Sequence, residues 1–261
     1  VNHITAVEVN PETVNIVRDY SDYNGGIYTK YENVEVFIDE GRSFLKRTPA
    51  KYDVIMLNIP ITKTAQGTSG YSLAENYLFT TDSFRDYLEH LGDQGFLVIV
   101  AHDPLEVYKL TAITLKVLRE GGASAGESMR HVVVTGMHHS HFPVFILKKT
   151  AFAREQVTEM FAKSDELGFT PAYFPYINLG NLDPILTELG KEKLDLDVLV
   201  SHLRDHYGLD MEPPTDDRPF FYKFEKGIPQ TLAQLLAAST ALCVVISLLF
   251  SGAEELSLIH I

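Results

Sequence analysis

Only one cysteine, Cys243, occurs in the 261 residues, so no internal disulfide can form. It lies within an apolar run, where a thiol is expected to pack as a small buried hydrophobe. Basic residues are scarce. The 22 Lys and Arg face 35 Asp and Glu, for a formal charge of -13. A surface of that sign repels phosphate backbones, so no nucleic-acid partner is expected. A cationic small molecule such as an amine suits it. Neither a P-loop nor a Cys-x-x-Cys pair is present, which removes the usual carriers of NTPase and dithiol chemistry. No secretory signal opens the chain, whose residues 4–9 already read as a strand. A domain rarely begins inside its sheet, so a truncated N-terminus is expected, with a strand and its loop belonging ahead of Val1.

What is there is ordinary globular composition, 45% hydrophobic and 22% charged. Short apolar runs alternate with helical patterns through the first half, the mark of βαβ units and a parallel sheet. Strands are expected over 4–9, 34–38, 52–57 and 96–101. The last two are apolar on both faces, as central parallel strands are. Asn10-Pro11 and Asp103-Pro104 each open a helix, a cap followed by a residue whose missing N–H costs nothing. Phe84, Tyr87, Leu88 and Leu91 fall at helical spacing, with Gly92 as the stop. Residues 58–72 form a long Thr-, Gly- and Ser-rich loop, of a length associated with functional lids. Residues 131–135 and 144–148 read as two strands whose short connection permits only an antiparallel pair.

The expected fold is therefore α/β: a doubly wound, Rossmann-like parallel sheet ending in a C-terminal antiparallel strand pair. It occupies 1–149. A mostly helical extension over 150–228 follows, with helices at 154–167, 183–189 and 197–207 and a stiff docking loop at 213–221. Residues 232–250 carry no charge and leave no polar face for water, so 229–255 read as the start of a transmembrane region. Lys223 and Lys226 just before it place the soluble domain on the cytoplasmic side of the cell (inner) membrane. The last six residues, 256–261, match the translation of a sequencing adapter and are read as an artefact that carries no fold information.

Several residues are candidates for chemistry. Glu8 stands at the carboxyl end of the first strand, the edge where doubly wound sheets bind ligands, and a carboxylate there can accept both hydroxyls of a ribose. Glu75, after the long loop, and Asp103, after the strand at 96–101, are placed to face a substrate as base or cation clamp. Glu75 also reads as a helix-start carboxylate and Asp103 as a helix cap. His138-His139-Ser140-His141 reads as a solvated loop rather than a metal site, since adjacent histidines rarely converge on one centre. Asp216-Asp217-Arg218 reads as an ion pair that docks the extension.

The order Val7-Glu8-Val9-Asn10-Pro11, Asp39-Glu40-Gly41-Arg42-Ser43-Phe44-Leu45 and Tyr52-Asp53-Val54-Ile55 resembles class I S-adenosylmethionine-dependent methyltransferases. More closely it is similar to the spermidine synthase family. Ser72-Leu73-Ala74-Glu75-Asn76-Tyr77-Leu78-Phe79-Thr80, the run from Thr215 to Phe221 and the apolar stretch after it resemble membrane-embedded spermidine-synthase-like proteins. That resemblance implies a ligand, S-adenosylmethionine or its decarboxylated form, and no metal. Glu8 would hold the ribose hydroxyls, and Asp39 or Glu40 with Gly41 would read the adenine. Asn58 would face the reactive centre, and Glu75, Tyr77 and Asp103 the acceptor. A homodimer is compatible with it. The chain departs from the family at Asn58-Ile59-Pro60-Ile61, where spermidine synthases carry two acids. Ile61 fills the place of the base that accepts the amine's proton, and Asn58 cannot take a proton at neutral pH.

The expected function is methyl or aminopropyl transfer to a small-molecule acceptor. A catalytically inactive nucleoside-binding sensor and a nicotinamide-dependent dehydrogenase are the alternatives. The closing antiparallel hairpin weighs against the dehydrogenase.

Overall fold

A computed structural model describes residues 1–58, 74–137, 142–225, 227 and 230–257. In chain order these form β1 (Ile4–Glu8), α1 (Pro11–Asp19), β2 (Val34–Ile38), α2 (Gly41–Arg47), β3 (Tyr52–Asn58), α3 (Thr81–His90), β4 (Leu91–Val100), α4 (Pro104–Glu120) and α5 (Ala125–Met129). Then come β5 (Val132–Thr135), β6 (Val144–Lys148), α6 (Arg154–Glu166), β7 (Pro171–Tyr173), α7 (Pro184–Gly190), α8 (Leu196–Tyr207) and α9 (Gln230–Ser257).

The helices begin where their caps dictate. Asn10 Oδ1 accepts from the Glu12 amide at 2.9 Å, with Pro11 at the first position of α1. Asp103 and Asp183, each followed by proline, cap α4 and α7 in the same way. Thr80 and Ser83 form a reciprocal capping box on α3. Gly208 ends α8 at φ +67°, a left-handed position that favours glycine.

Two sheets result. β1 and β2 pair in parallel, Glu8 opposite Ile38. The second sheet runs β3-β4-β6-β5-β7. Within it only β3 and β4 are parallel, and β6 meets both β4 and β5 antiparallel. The α/β class and the antiparallel closing pair are thus as the sequence predicts, while among the described residues parallel pairing is confined to two couples. β7, which pairs with β5, and the short helix α5 carry no periodic signal in the sequence.

Gly92 does not stop α3. The helix ends at His90, and Leu91 already lies extended as the first residue of a ten-residue β4. The register slips there, with Tyr52 opposite Leu91 but Val54 opposite Phe96. Tyr52 approaches so closely that a Cβ on Gly95 would stand 2.9 Å from its carbonyl oxygen. Glycine serves this bulge rather than a helix end.

One core joins the sheet to the extension. Phe84, Leu97, Ile99, Leu110, Ile113, Val134, Phe145 and Leu147 from the α3–β6 region are buried with Leu186, Leu189, Val200, Met211 and Phe221 from beyond residue 150. Lys109 is buried in it too, 1% exposed. Its Nζ donates to the Lys223 carbonyl at 2.8 Å and lies 4.9 Å from the Phe224 ring centre. Past that anchor α9 stands apart. Its window 233–250 is apolar, with none of it buried. Cys243, expected in an apolar interior, is accordingly exposed. The expectations for 59–73 and 138–141, which include Ile61 and the histidine cluster, fall outside the described residues, as does 258–261.

Burial lowers the Lys109 pKa to about 8, against about 10.5 in an unfolded chain. Between those values the unfolded state binds the extra proton, so this group makes stability rise with pH from about 8 to 10.5. Urea unfolding of the wild type is expected to show that rise, relative to Lys109→Met, when midpoints at pH 8 and pH 10 are compared. Equal differences at both pH values would contradict it.

Candidate active site at the carboxyl edge of the strands

Glu8 and Asp39 end neighbouring parallel strands, and the Asp39 amide donates to the Glu8 carbonyl at 3.1 Å. Both carboxyls therefore stand at one edge, half-buried. The Asn10 amide donates to Glu8 Oε1 at 2.8 Å, which fixes the carboxylate's direction. Asp39 is paired with Arg47 through Nη2 and takes the Glu40 amide at 2.8 Å. The guanidinium bond holds the Asp39 carboxyl below its ordinary range. Glu40 caps α2, its two oxygens accepting from the Arg42 amide at 3.0 Å and the Ser43 amide at 2.8 Å. Gly41 is the first residue of that helix.

Asn58 ends β3, exposed, opposite Val100 of β4. Between β1 and β3 lies a cavity whose walls include Thr5 and Val7 on one side and Val54 and Met56 on the other. Neither facing strand edge has a strand partner among the described residues. Val54 and Met56 are more than half exposed, although their strand reads as a central one.

A second cavity, of ≈ 440 Å³, has Glu40 and Arg42 on one wall and Glu75, Tyr77 and Asp216 on the other. Tyr77 donates from its hydroxyl to Glu75 at 2.9 Å, and that bond raises the phenol's pKa. Glu75 does not start a helix, since α3 begins only at Thr81. Asp103 does cap α4, its Oδ1 accepting from the Leu105 and Glu106 amides at 2.9 and 3.2 Å.

The docking ion pair is real, but its arginine is Arg42 rather than Arg218. Arg42 is 6% exposed. It donates to both Asp216 oxygens at 2.7 and 2.9 Å, to Asp86 at 2.7 Å and to the Tyr77 carbonyl at 3.1 Å. Thr80 Oγ1 adds a further bond to Asp216 at 2.7 Å. The arginine pulls the Asp216 carboxyl down. Planar, two-pronged pairing of this kind needs arginine.

His102 and Glu106, a buried pair just past β4, have no place among the sequence candidates. The i,i+4 spacing of an acid and a histidine at a helix start is the signal that could have flagged them. The string Gly122-Ala123-Ser124-Ala125-Gly126 has hydrolase-nucleophile spacing, which calls for a strand-to-helix turn and an exposed hydroxyl. Here the string follows α4 instead, and Ser124 caps α5 with its hydroxyl bonded to Glu192.

The arrangement is that of an α/β domain with acids at successive parallel strand ends. No protein-family model and no curated protein matches the chain. Among solved structures it is similar to a probable spermidine synthase from Corynebacterium glutamicum, at 19% identity and a TM-score of 0.45, over 64% of this chain and 57% of that one. A spermidine synthase in complex with the transition state analogue AdoDATO matches at 15% identity and 0.39, over 60% and 48%. Human methyltransferase-like protein 13 in complex with SAH matches at 13% and 0.43, over 63% and 70%. The chain thus spans about half the length of the spermidine synthases it matches.

Arg42→Ala would leave Asp86 and Asp216 without their shared cation. The loss expected is about 1–3 kcal/mol, less than for a fully buried pair, because Asp86 and Asp216 stay partly open to water. Urea unfolding checks it, and Arg42→Lys, which cannot reach all four acceptors, is expected to restore less than half.

Proposed function

We propose that this chain is part of a transferase domain that binds S-adenosylmethionine or its decarboxylated form and passes a methyl or aminopropyl group to a small acceptor. The observation that carries this is the joined pair of strand ends, Glu8 and Asp39, at the sheet edge where such nucleosides bind. Glu8 takes the ribose hydroxyls, and Asp39 with Gly41 takes the adenine. Glu40 contributes through its position, because its carboxylate is committed to the α2 cap. Asn58, across the open cavity, faces the reacting carbon.

The cavity between β1 and β3 supports a further element of this reading. The two edges lined by Val7, Val54 and Met56, without strand partners among the described residues, support the reading that one more strand, parallel to both, belongs between them. Such a strand would bring the glycine-rich turn that cradles the rest of the nucleoside. The acceptor is an amine, and the cavity bearing Glu40, Glu75 and Tyr77 is its approach. Residues 1–149 would form the nucleoside domain and 150–228 its extension. α9 crosses the cell membrane, since the uncharged, largely apolar 18-residue stretch from Ala233 to Phe250 rises roughly 27 Å, close to a bilayer's hydrocarbon core. Lys223 and Lys226 keep the domain on the cytoplasmic side. A sensor that binds without turnover is the second reading, favoured by Ile61 at the family's base position.

Calorimetric titration of the full-length protein with S-adenosylmethionine, its decarboxylated form and methylthioadenosine tests the proposal. Binding of at least one is expected, weakened roughly ten- to hundredfold in Glu8→Gln, the weight of a lost charge-assisted hydrogen bond. Silence with all three would remove the reading. Residues 1–228 alone are expected to bind poorly, and tight binding by them would dismiss the additional strand. For α9, the chain with residues 230–257 is expected to float with liposomes through alkaline washing and the chain without them to remain in solution.

A further inference from the structure

His102 follows β4 by two residues, and the strand pairing sets Val100 beside Asn58, so the imidazole belongs to the same carboxyl edge. It is 2% exposed. Its main-chain N–H donates to Glu106 Oε2 at 3.0 Å, and its Nδ1 stands 3.0 Å from Glu106 Oε1. Asp103 holds the first turn of α4 in place from its other side, through the Leu105 and Glu106 amides. A carboxylate against Nδ1 selects the tautomer with the proton there, which leaves a bare lone pair on Nε2. That Nε2 is buried and has no hydrogen-bond partner among the described residues. A buried acceptor without a partner is rare in folded proteins and calls for an occupant. The Phe142 ring, 6.5 Å from the imidazole, adds an apolar neighbour.

We propose that His102 is a catalytic residue that accepts the proton of the acceptor amine, with Glu106 as the residue that positions it. This rests on the transferase reading above. In the step, the amine nitrogen's lone pair forms the new bond to the carbon of the sulfonium donor. The carbon–sulfur bond breaks and its electron pair stays on sulfur, leaving a neutral thioether. The nitrogen, now cationic, gives its proton to His102 Nε2. The imidazolium is stabilised by the Glu106 carboxylate on its far side, an arrangement that hydrolases use for the same purpose. The pair thereby supplies the base that Ile61 cannot.

The test is nitrogen-detected NMR on the full-length protein with labelled histidine, His102 being identified by its loss in His102→Gln and, independently, by its change in Glu106→Gln. In the wild type the tautomer with its proton on Nδ1 and a bare Nε2 is expected. The Nε2 resonance is expected to shift when 1,4-diaminobutane is added to the methylthioadenosine complex. Glu106→Gln is expected to keep methylthioadenosine affinity within about threefold, under 1 kcal/mol, while the proton redistributes toward Nε2. A purely structural histidine would show no response to the amine. If methylthioadenosine binds but Nε2 already carries the proton, or stays unmoved by the amine, this proposal alone is overturned. If methylthioadenosine does not bind at all, the transferase reading falls and takes this inference with it.

Discussion

The guanidinium of Arg42 is the constraint on which the site geometry depends. It is the second residue of α2, two after the Glu40 cap, and its bonds reach α3 through Asp86, the segment before α3 through Tyr77, and the 216 turn through Asp216. A buried charge costs several kcal/mol of hydration unless every donor is met. The carboxylates around Arg42 must therefore remain in place, and with them the strand end that presents Asp39 and the wall that presents Glu75 and Tyr77. The extension is thus part of the site's foundation, since Asp216 comes from far along the chain.

Much of this was legible in the residues. Asn10-Pro11 and Asp103-Pro104 mark helix starts that the structure reproduces, because a cap and a proline act locally and need no tertiary help. The apolar runs at 52–57 and 96–101 are strands, as predicted, although one face of the first, at Val54 and Met56, is more than half exposed. Other features depended on contacts that no local pattern encodes. Gly92 looks like a helix stop, yet the backbone of Tyr52 draws Leu91 into the sheet. Residues 171–173 have no strand signal, and they pair only because β5 offers an edge.

The site divides along the same line. Strand-end acids could be placed from sequence because the fold class says which edge matters. Glu40 could be placed but not its employment, since a cap is defined by two amides that sequence does not locate in space. The docking arginine was sought beside Asp216, at Arg218. The true partner is 174 residues away. The His102–Glu106 pair escaped because burial, not residue type, makes it unusual.

The anchor of α9 has a mechanical consequence. Glu106 and Lys109 lie one turn apart on α4, the first gripping His102 and the second gripping the Lys223 carbonyl and the Phe224 ring. The stretch that leads into the apolar helix is therefore fastened to the same rigid rod whose first turn organises the strand edge. Lys109 thus holds the chain at Lys223 and Phe224 against α4, six residues before α9 begins at Gln230. One turn of α4 therefore separates the residue that holds His102 from the residue that holds the entry to the apolar helix.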